Sequence, residues 1–324
     1  MTMLTSHAQA TDPSPVLAPV APEAVRYIKL GPGGAWARVC LAQGEIRFGS
    51  PDEPHAECLS GDWDAARAAL GRTGTRSPGE TSQVMRELRD FHALPAGTLW
   101  ITFAEGRLWW ALSEAEVECV ADGEAGVVTR RTRDGWHDTS LTGTPLTLAS
   151  LSSRLTQVQA YQRTICKVAA ADYLIRRING VEEPAVVRAR AVRTEMIAAA
   201  GALIAGLHWA DFEVLADLLL SRSGWQRVSD LGKTQADLDL IVAQPATGER
   251  GFVQVKSRAT QAVLDGSVAA YRASGAYARM FFVCHSPTSS LTADGPDVHL
   301  LTGGELARRS VDAGLLDWLI ERAG

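Results

Sequence analysis

The stretch that decides how this chain is read is QADLDLIVAQPATGERGFVQVKS, residues 235–257. Two aspartates stand two apart before an apolar run; a turn with Pro and Gly follows, and a second strand-like run ends on Lys256. In a strand successive side chains alternate between faces. Val253 and Val255 therefore fall on one side, and Phe252, Gln254 and Lys256 on the other. The same alternation puts Asp237 and Asp239 together on the preceding strand. A hairpin around QPATGERG would let the aspartates and the Gln254–Lys256 pair share one surface at an end of the sheet. A lysine beside core valines is costly to bury without a partner, and a carboxylate-bound metal or a phosphate would remove that cost.

These residue types suit phosphodiester hydrolysis. A carboxylate holds Mg²⁺, which takes oxygen ligands and retains several waters. The ion neutralises charge on the scissile phosphate and lowers the pKa of a bound water, while a lysine beside that water orients it. Asp239 is the expected ligand, with Asp237 in support, Gln254 an oxygen donor through its amide carbonyl, and Lys256 the orienting cation. Upstream, WADFEVLADLLL places Phe212, Leu215, Ala216 and Leu219 on one helical stripe and leaves Glu213 and Asp217 four apart on its flank. Glu213 is the expected third acidic group.

In order, Phe212-Glu213, LLLSRSGW, GKTQADLDLIV and GFVQVKS resemble the Mrr-like branch of the PD-(D/E)xK restriction-endonuclease superfamily. The resemblance spans residues 209–324 and includes VHLLTGGELARR as a late strand and helix. It implies an α/β domain with a mixed sheet flanked by helices, Mg²⁺ as cofactor with Mn²⁺ as a substitute, and DNA as substrate. It also implies an active site of Glu213, Asp239, Gln254 and Lys256, with Glu213, Asp239 and Gln254 as metal ligands. Gln254 stands where the superfamily motif has an acid, one charge fewer at the metal. The sequence LGKTQAD leaves the choice between Asp237 and Asp239 open. Taken singly, each piece also fits an ordinary half-buried hairpin with solvated charges.

Nearly half of the 324 residues are apolar and the formal charge is −5, so a nucleic-acid partner must be met by a local basic surface. The sequence has no long apolar run and no signal-peptide pattern at its start; the expectation is a cytoplasmic chain without a membrane partner. The five scattered cysteines are expected as buried thiols. The division expected is a Pro- and Ala-rich disordered tail (1–24), a strand-dominated domain (25–150), a helical connector (151–208) and the nuclease domain (209–324). Within the connector, Leu155, Val158, Tyr161, Ile165 and Val168 read as the apolar stripe of one helix ending at Asn179-Gly180.

Six of the nine tryptophans (Trp36, Trp63, Trp100, Trp109, Trp110, Trp136) lie in the first 136 residues. Trp36 follows the turn GPGG and Trp63 follows SGD, where a ring and the chain can approach a ligand. With Asp62 they are the candidates for holding a base, since aromatic faces stack on extruded bases and a carboxylate can read a base edge. The order strand, glycine turn, helix, helix, strand over 25–150 resembles the PUA-like fold, including the EVE modules. That resemblance implies a small β-barrel that senses a modified base. Arg188, Arg190, Arg193 and Arg258, together with Arg130, Arg131 and Arg133, are candidates for gripping a phosphate backbone.

The expectation is thus a Mg²⁺-dependent DNA endonuclease that senses modified bases in defence, with a homodimer supplying two sites for a double-strand cut. Two alternatives stay open: a nucleotide- or RNA-sensing DNA-binding protein that does not cut, and a structure-specific repair nuclease.

Overall fold

A computed structural model describes residues 18–50, 52–72, 76–120, 126–228 and 240–324. The chain divides into two compact units, Met1–Glu183 and Pro184–Gly324.

The first unit carries β1 (Val25–Ile28), α1 (Ala37–Gln43), β2 (Glu45–Gly49), α2 (His55–Leu59), α3 (Trp63–Arg72) and α4 (Pro78–Ala93). Then come β3 (Leu99–Ala104), β4 (Arg107–Cys119), β5 (Val127–Thr132), α5 (Ser153–Thr156), β6 (Ile165–Lys167) and α6 (Ala171–Ile178). The six strands order as β2-β5-β4-β3-β1-β6, with β1–β3 parallel and the other pairs antiparallel. Glu105 and Gly106, both at positive φ, close the β3–β4 hairpin, the geometry that follows the right-handed strand twist. Alternation along β3 and β4 sends Trp100 and Ala111 into a core with α1, α3 and α4. Leu99, Ile101, Leu108 and Trp110 enter a second core with α5 and α6. A capping box between Ser77 and Glu80, with Pro78 in the first turn, starts α4.

The second unit holds α7 (Pro184–Gly206), α8 (Trp209–Arg222), β7 (Gln226–Arg227), β8 (Leu240–Ala243), β9 (Arg250–Ala259) and α9 (Gln261–Ser274). It ends with β10 (Arg279–Pro287), β11 (Val298–Thr302), α10 (Gly303–Asp312) and α11 (Leu316–Ala323). Its sheet runs β11-β10-β9-β8-β7; β8 pairs antiparallel to β9, whereas β9, β10 and β11 are mutually parallel. Val253, Val255, Phe281 and Val283 pack under α7, α8, α10 and α11. Phe252, Phe282 and Cys284 pack under α9. This is the mixed sheet with helices on both faces that the element order implies.

Several expectations are corrected. The N-terminal sheet is open, ending among the described residues on β2 and β6, so the expected closed barrel is not formed. The stripe from Leu155 to Val168 is not one helix: α5 stops at Thr156, and Ile165–Lys167 pairs with β1, with Ile28 opposite Ile165. The expected succession of helix on helix after the glycine turn is interrupted: β2, α2 and α3 stand between α1 and α4. Part of the expected tail is fixed, because Asn179 accepts from the Val20 amide at 2.8 Å and donates to its carbonyl at 2.9 Å. Residues 151–183 belong to the first unit and 184–208 to the second. Cys40, Cys58 and Cys284 are buried thiols, whereas Cys166 is half-buried and Cys119 exposed. No helix among the described residues is long and apolar enough to cross a membrane.

Candidate active site

The turn that joins β8 to β9 is closed by the Gln244 amide donating to the Glu249 carbonyl and the Gly248 amide donating to the Gln244 carbonyl, each at 2.8 Å. Gly248 takes φ 71°, a conformation that costs glycine little. This turn fixes the register, so Leu240 faces Val253 and Ile241 faces Phe252. Asp237 and Asp239 lie outside the described residues; Leu240, the residue after Asp239 in sequence, pairs with the residue before Gln254.

Along β9, Val253 and Val255 enter the core beneath α8 and Phe252 the core beneath α9. The alternation puts Gln254, 4 % exposed, and Lys256, half-buried, on the α9 side. Lys256 lies opposite Cys284 of β10. The next residue of β10, His285, meets the ring of Phe212 edge-on, centroids 4.6 Å apart. Phe212 opens the apolar stripe of α8, and Glu213 follows it, half-buried. The first turns of α8 are thus fastened to the end of the sheet that carries Lys256, although α8 covers the opposite face from Gln254 and Lys256. Glu213, Gln254 and Lys256 all have polar or electrostatic partners.

One group at this end, His285, escaped the sequence reading. His285 shares a 2.8 Å hydrogen bond between Nδ1 and Ser286 Oγ, and its buried Nε2 has no partner. Burial, then the charge of Arg258, hold its pKa below the ordinary imidazole value. Asp217, one turn beyond Glu213, has a buried Oδ1 without a partner. The signal for His285 was its place at the polar end of the apolar run RMFFVCH.

The other candidates are scattered. Arg258 and Arg188 are exposed, and Arg193 pairs with Asp312 at 2.7 Å; Arg190 is exposed with a partner of its own. Arg130 is no backbone grip: it is fully buried and donates to the carbonyls of Phe91, Leu94, Glu114 and Ala115. Burial lowers its pKa to about 10. Asp62 caps α3, its Oδ1 accepting from the Ala65 amide at 2.9 Å. The guanidinium of Arg89 sits 5.5 Å over the Trp63 ring, and Trp36 packs against the space that a Cβ at Gly31 would fill.

The described oxygen donors, the Glu213 carboxylate and the Gln254 amide carbonyl, are hard ligands of the kind that suits Mg²⁺ rather than a soft metal. Among the described residues no group of three or more His, Cys, Asp or Glu is placed to hold a metal; a complete donor set therefore requires a carboxylate from outside them.

Fold and site together define an α/β unit with an amide–lysine pair on a central strand and an acid near the start of a helix that covers the other face of the sheet. Residues 204–309 match the restriction endonuclease family Mrr_cat, so the C-terminal unit carries an Mrr-type restriction endonuclease domain and its activity class is DNA endonuclease. Among solved structures, the chain is similar to "MspJI Restriction Endonuclease in Complex with 27-mer Oligonucleotide", at 14% identity and a TM-score of 0.25, covering 87% of this chain and 74% of that one. No curated protein matches the chain.

Proposed function

We propose that this chain is a Mg²⁺-dependent endodeoxyribonuclease of the modification-dependent restriction type, acting in defence against foreign DNA. The observation that carries the hydrolytic part is the face-sharing of Gln254 and Lys256 on β9 within the segment that matches the family. Asp239, Glu213 and the Gln254 carbonyl would hold the ion, and Asp237 would support them. Bound there, the ion would neutralise the scissile phosphate and activate a water. Lys256 orients that water and stabilises charge developing on the phosphate oxygens. Val253 and Val255, locked in the core, hold the strand so that this pair keeps its direction.

The N-terminal unit would be the sensor of a modified base, a role that the sequence resemblance to PUA-like modules suggests, on an open sheet. Its separate cores support an independently folded module. Exposed arginines such as Arg188 and Arg258 would add phosphate contacts without reading sequence. Cutting both strands calls for two copies of the site, hence a homodimer on DNA.

Plasmid incubated with the protein and Mg²⁺ or Mn²⁺, with EDTA as control, tests the central reading. Metal-dependent cleavage should be lost in Asp239→Ala and Lys256→Ala proteins whose circular dichroism is unchanged; undiminished cutting by both would refute the site. Gln254 in place of an acid favours a second reading, a DNA clamp that does not cut. Binding without cleavage in either metal would select it. Sensing is tested separately, by comparing binding to duplexes with and without modified cytosine or adenine; equal binding to all would remove the sensor.

A further inference from the structure

A groove of about 1090 Å³ opens between the C-terminal part of α8, α10 and the first residues of β10 and β11. Arg279, on its wall, pairs with Gly251, five residues before Lys256 on β9. At roughly 3.3 Å per residue it stands about 16 Å along the strands from the proposed hydrolytic site. The volume is near the upper end of small-ligand sites, about 300–1,000 Å³, and far too small for a duplex.

Its floor is aromatic. Phe281 is stacked on His299 at 5.3 Å and meets Trp225 edge-on at 5.0 Å, so the half-buried Trp225 and His299 border the opening. Four guanidiniums stand around that floor: Arg222, Arg279, Arg308 and Arg309. Two acids also line the groove, Glu249 and Asp312. Arg308 and Arg309 are engaged with Glu305 on α10, and Arg308 also with Asp312. Arg279 is held only loosely, 3.7 Å from Glu249, and Arg222 gives one N–H to the Ala313 carbonyl. Exposed ion pairs of this kind contribute little and exchange readily for a better anion. The field over the floor stays positive: after burial, Arg279 and Arg309 are what hold the His299 pKa below its ordinary value, against a smaller opposing effect of Asp297.

The geometry points to a binding site for a nucleoside phosphate, with the ring on the Trp225–Phe281–His299 floor and the phosphate on Arg279 and Arg222. A planar base finds aromatic faces there, and a phosphate finds guanidinium forks that match it bidentately.

The test is fluorescence anisotropy of a labelled adenosine monophosphate with full-length Lys256→Ala protein, so the outcome does not depend on hydrolysis. Saturable binding displaced by unlabelled AMP is expected. Arg279→Ala should weaken it about tenfold, the loss of one charge-assisted contact, and His299→Ala should weaken it to a smaller extent, while Arg67→Ala, at an exposed position of α3 in the first unit, leaves it unchanged. Should Arg279→Ala lose its fold by circular dichroism, Arg279→Lys, which keeps the charge but not the fork, takes its place and should also weaken binding. No saturable binding by the parent, or undiminished binding by the Arg279 and His299 variants alike, overturns the site. Displacement by inorganic phosphate as effective as by AMP overturns the nucleoside part, and displacement by adenosine as effective as by AMP overturns the phosphate part.

Discussion

His55 Nδ1 lies 3.0 Å from His92 Nε2 inside the N-terminal unit, and the other ring nitrogen of His55 lies 3.5 Å from Glu53 Oε2. Three titratable groups thus follow one another from the residues before α2 to α4, and Glu53 Oε2, His55 Nε2 and His92 Nδ1 have no hydrogen-bond partner. Burial, then the charge of Glu87, raise the Glu53 carboxyl to about 7, while burial, then His55, lower His92 to about 4. A carboxyl raised in the folded state holds its proton more tightly there than in the unfolded chain. The stability it contributes is therefore fully present below about 4.5 and is lost as pH rises through about 7. His92 has the opposite slope, losing stability as pH falls from 6.5 through about 4. Glu53→Gln isolates the first effect. Relative to the parent, its melting temperature should be unchanged at the acid end, climb as pH rises through the Glu53 titration, and level off above it. The plateau corresponds to at most roughly 3 kcal/mol. A pH-independent difference between the two melting curves would show that Glu53 titrates normally.

Gly49 makes that arrangement possible. At φ 125° it passes so close that a Cβ would sit 2.3 Å from the Gly126 carbonyl and 2.5 Å from His55 Nε2. Gly49→Ala combines strain at positive φ with a backbone clash, costing on the order of 3 kcal/mol. Urea denaturation should show an earlier midpoint, with DNA cleavage by the protein that remains folded unchanged.

Arg130 gives a third prediction. Its guanidinium bonds four carbonyls, including Glu114 at 2.6 Å and Leu94 at 2.9 Å, and so ties α4 to the β4–β5 ladder. Lysine keeps the charge but lacks the planar fork, so Arg130→Lys leaves buried carbonyls unpaired. The loss is on the order of 3 kcal/mol, measurable by chemical unfolding. A role on DNA would instead lower affinity with little change in stability.

That burial shows what the sequence could and could not disclose. In VVTRRT, Val128 and Arg130 share a strand face, and Val128 lies in the core. Period-two alternation is compatible with an inward Arg130, but three arginines in four residues read as a phosphate-gripping charge run. The β8–β9 hairpin and α8 were legible because turn chemistry and apolar period agreed over their whole lengths. The stretch around Ile165 was not: its apolar spacing suits a helix, and only pairing with β1, distant in sequence, makes Ile165–Lys167 a strand. At the candidate site the alternation of β9 was readable from residues alone. The juxtaposition of His285 with Phe212 was not, since it depends on where α8 crosses the sheet.

Gln254 offers a test of the proposed metal site by charge. The side chain is buried, at 4 % exposure, beside Lys256 on the same strand face. Gln254→Glu adds a carboxylate to a donor set one charge poorer than the acidic version of the motif. Without metal the variant should melt lower, because a buried carboxylate is desolvated. With Mg²⁺ the order should shrink or reverse, and the concentration for half-maximal cleavage should fall several-fold, the equivalent of about 1 kcal/mol. A variant destabilised equally with and without Mg²⁺ would place the ion away from residue 254.

His285 sets the last expectation, because its imidazole does two separable things. Its ring packs edge-on against Phe212, while its Nε2 is buried without a partner. Removing a buried polar atom that makes no bond, in a side chain of similar shape, is neutral or stabilising. His285→Phe keeps the aromatic contact that fastens α8 and gives up only the bond to Ser286, whose half-buried hydroxyl can turn to water. Thermal unfolding of this variant should match or exceed the parent, whereas His285→Ala should fall by about 2 kcal/mol as the ring's volume is lost beside Phe212. If His285→Phe keeps its stability and cleaves at the parental rate, the imidazole serves packing alone. If it keeps its stability and cleaves more slowly, with a changed pH profile, the unpartnered nitrogen acts in the hydrolysis proposed at Lys256.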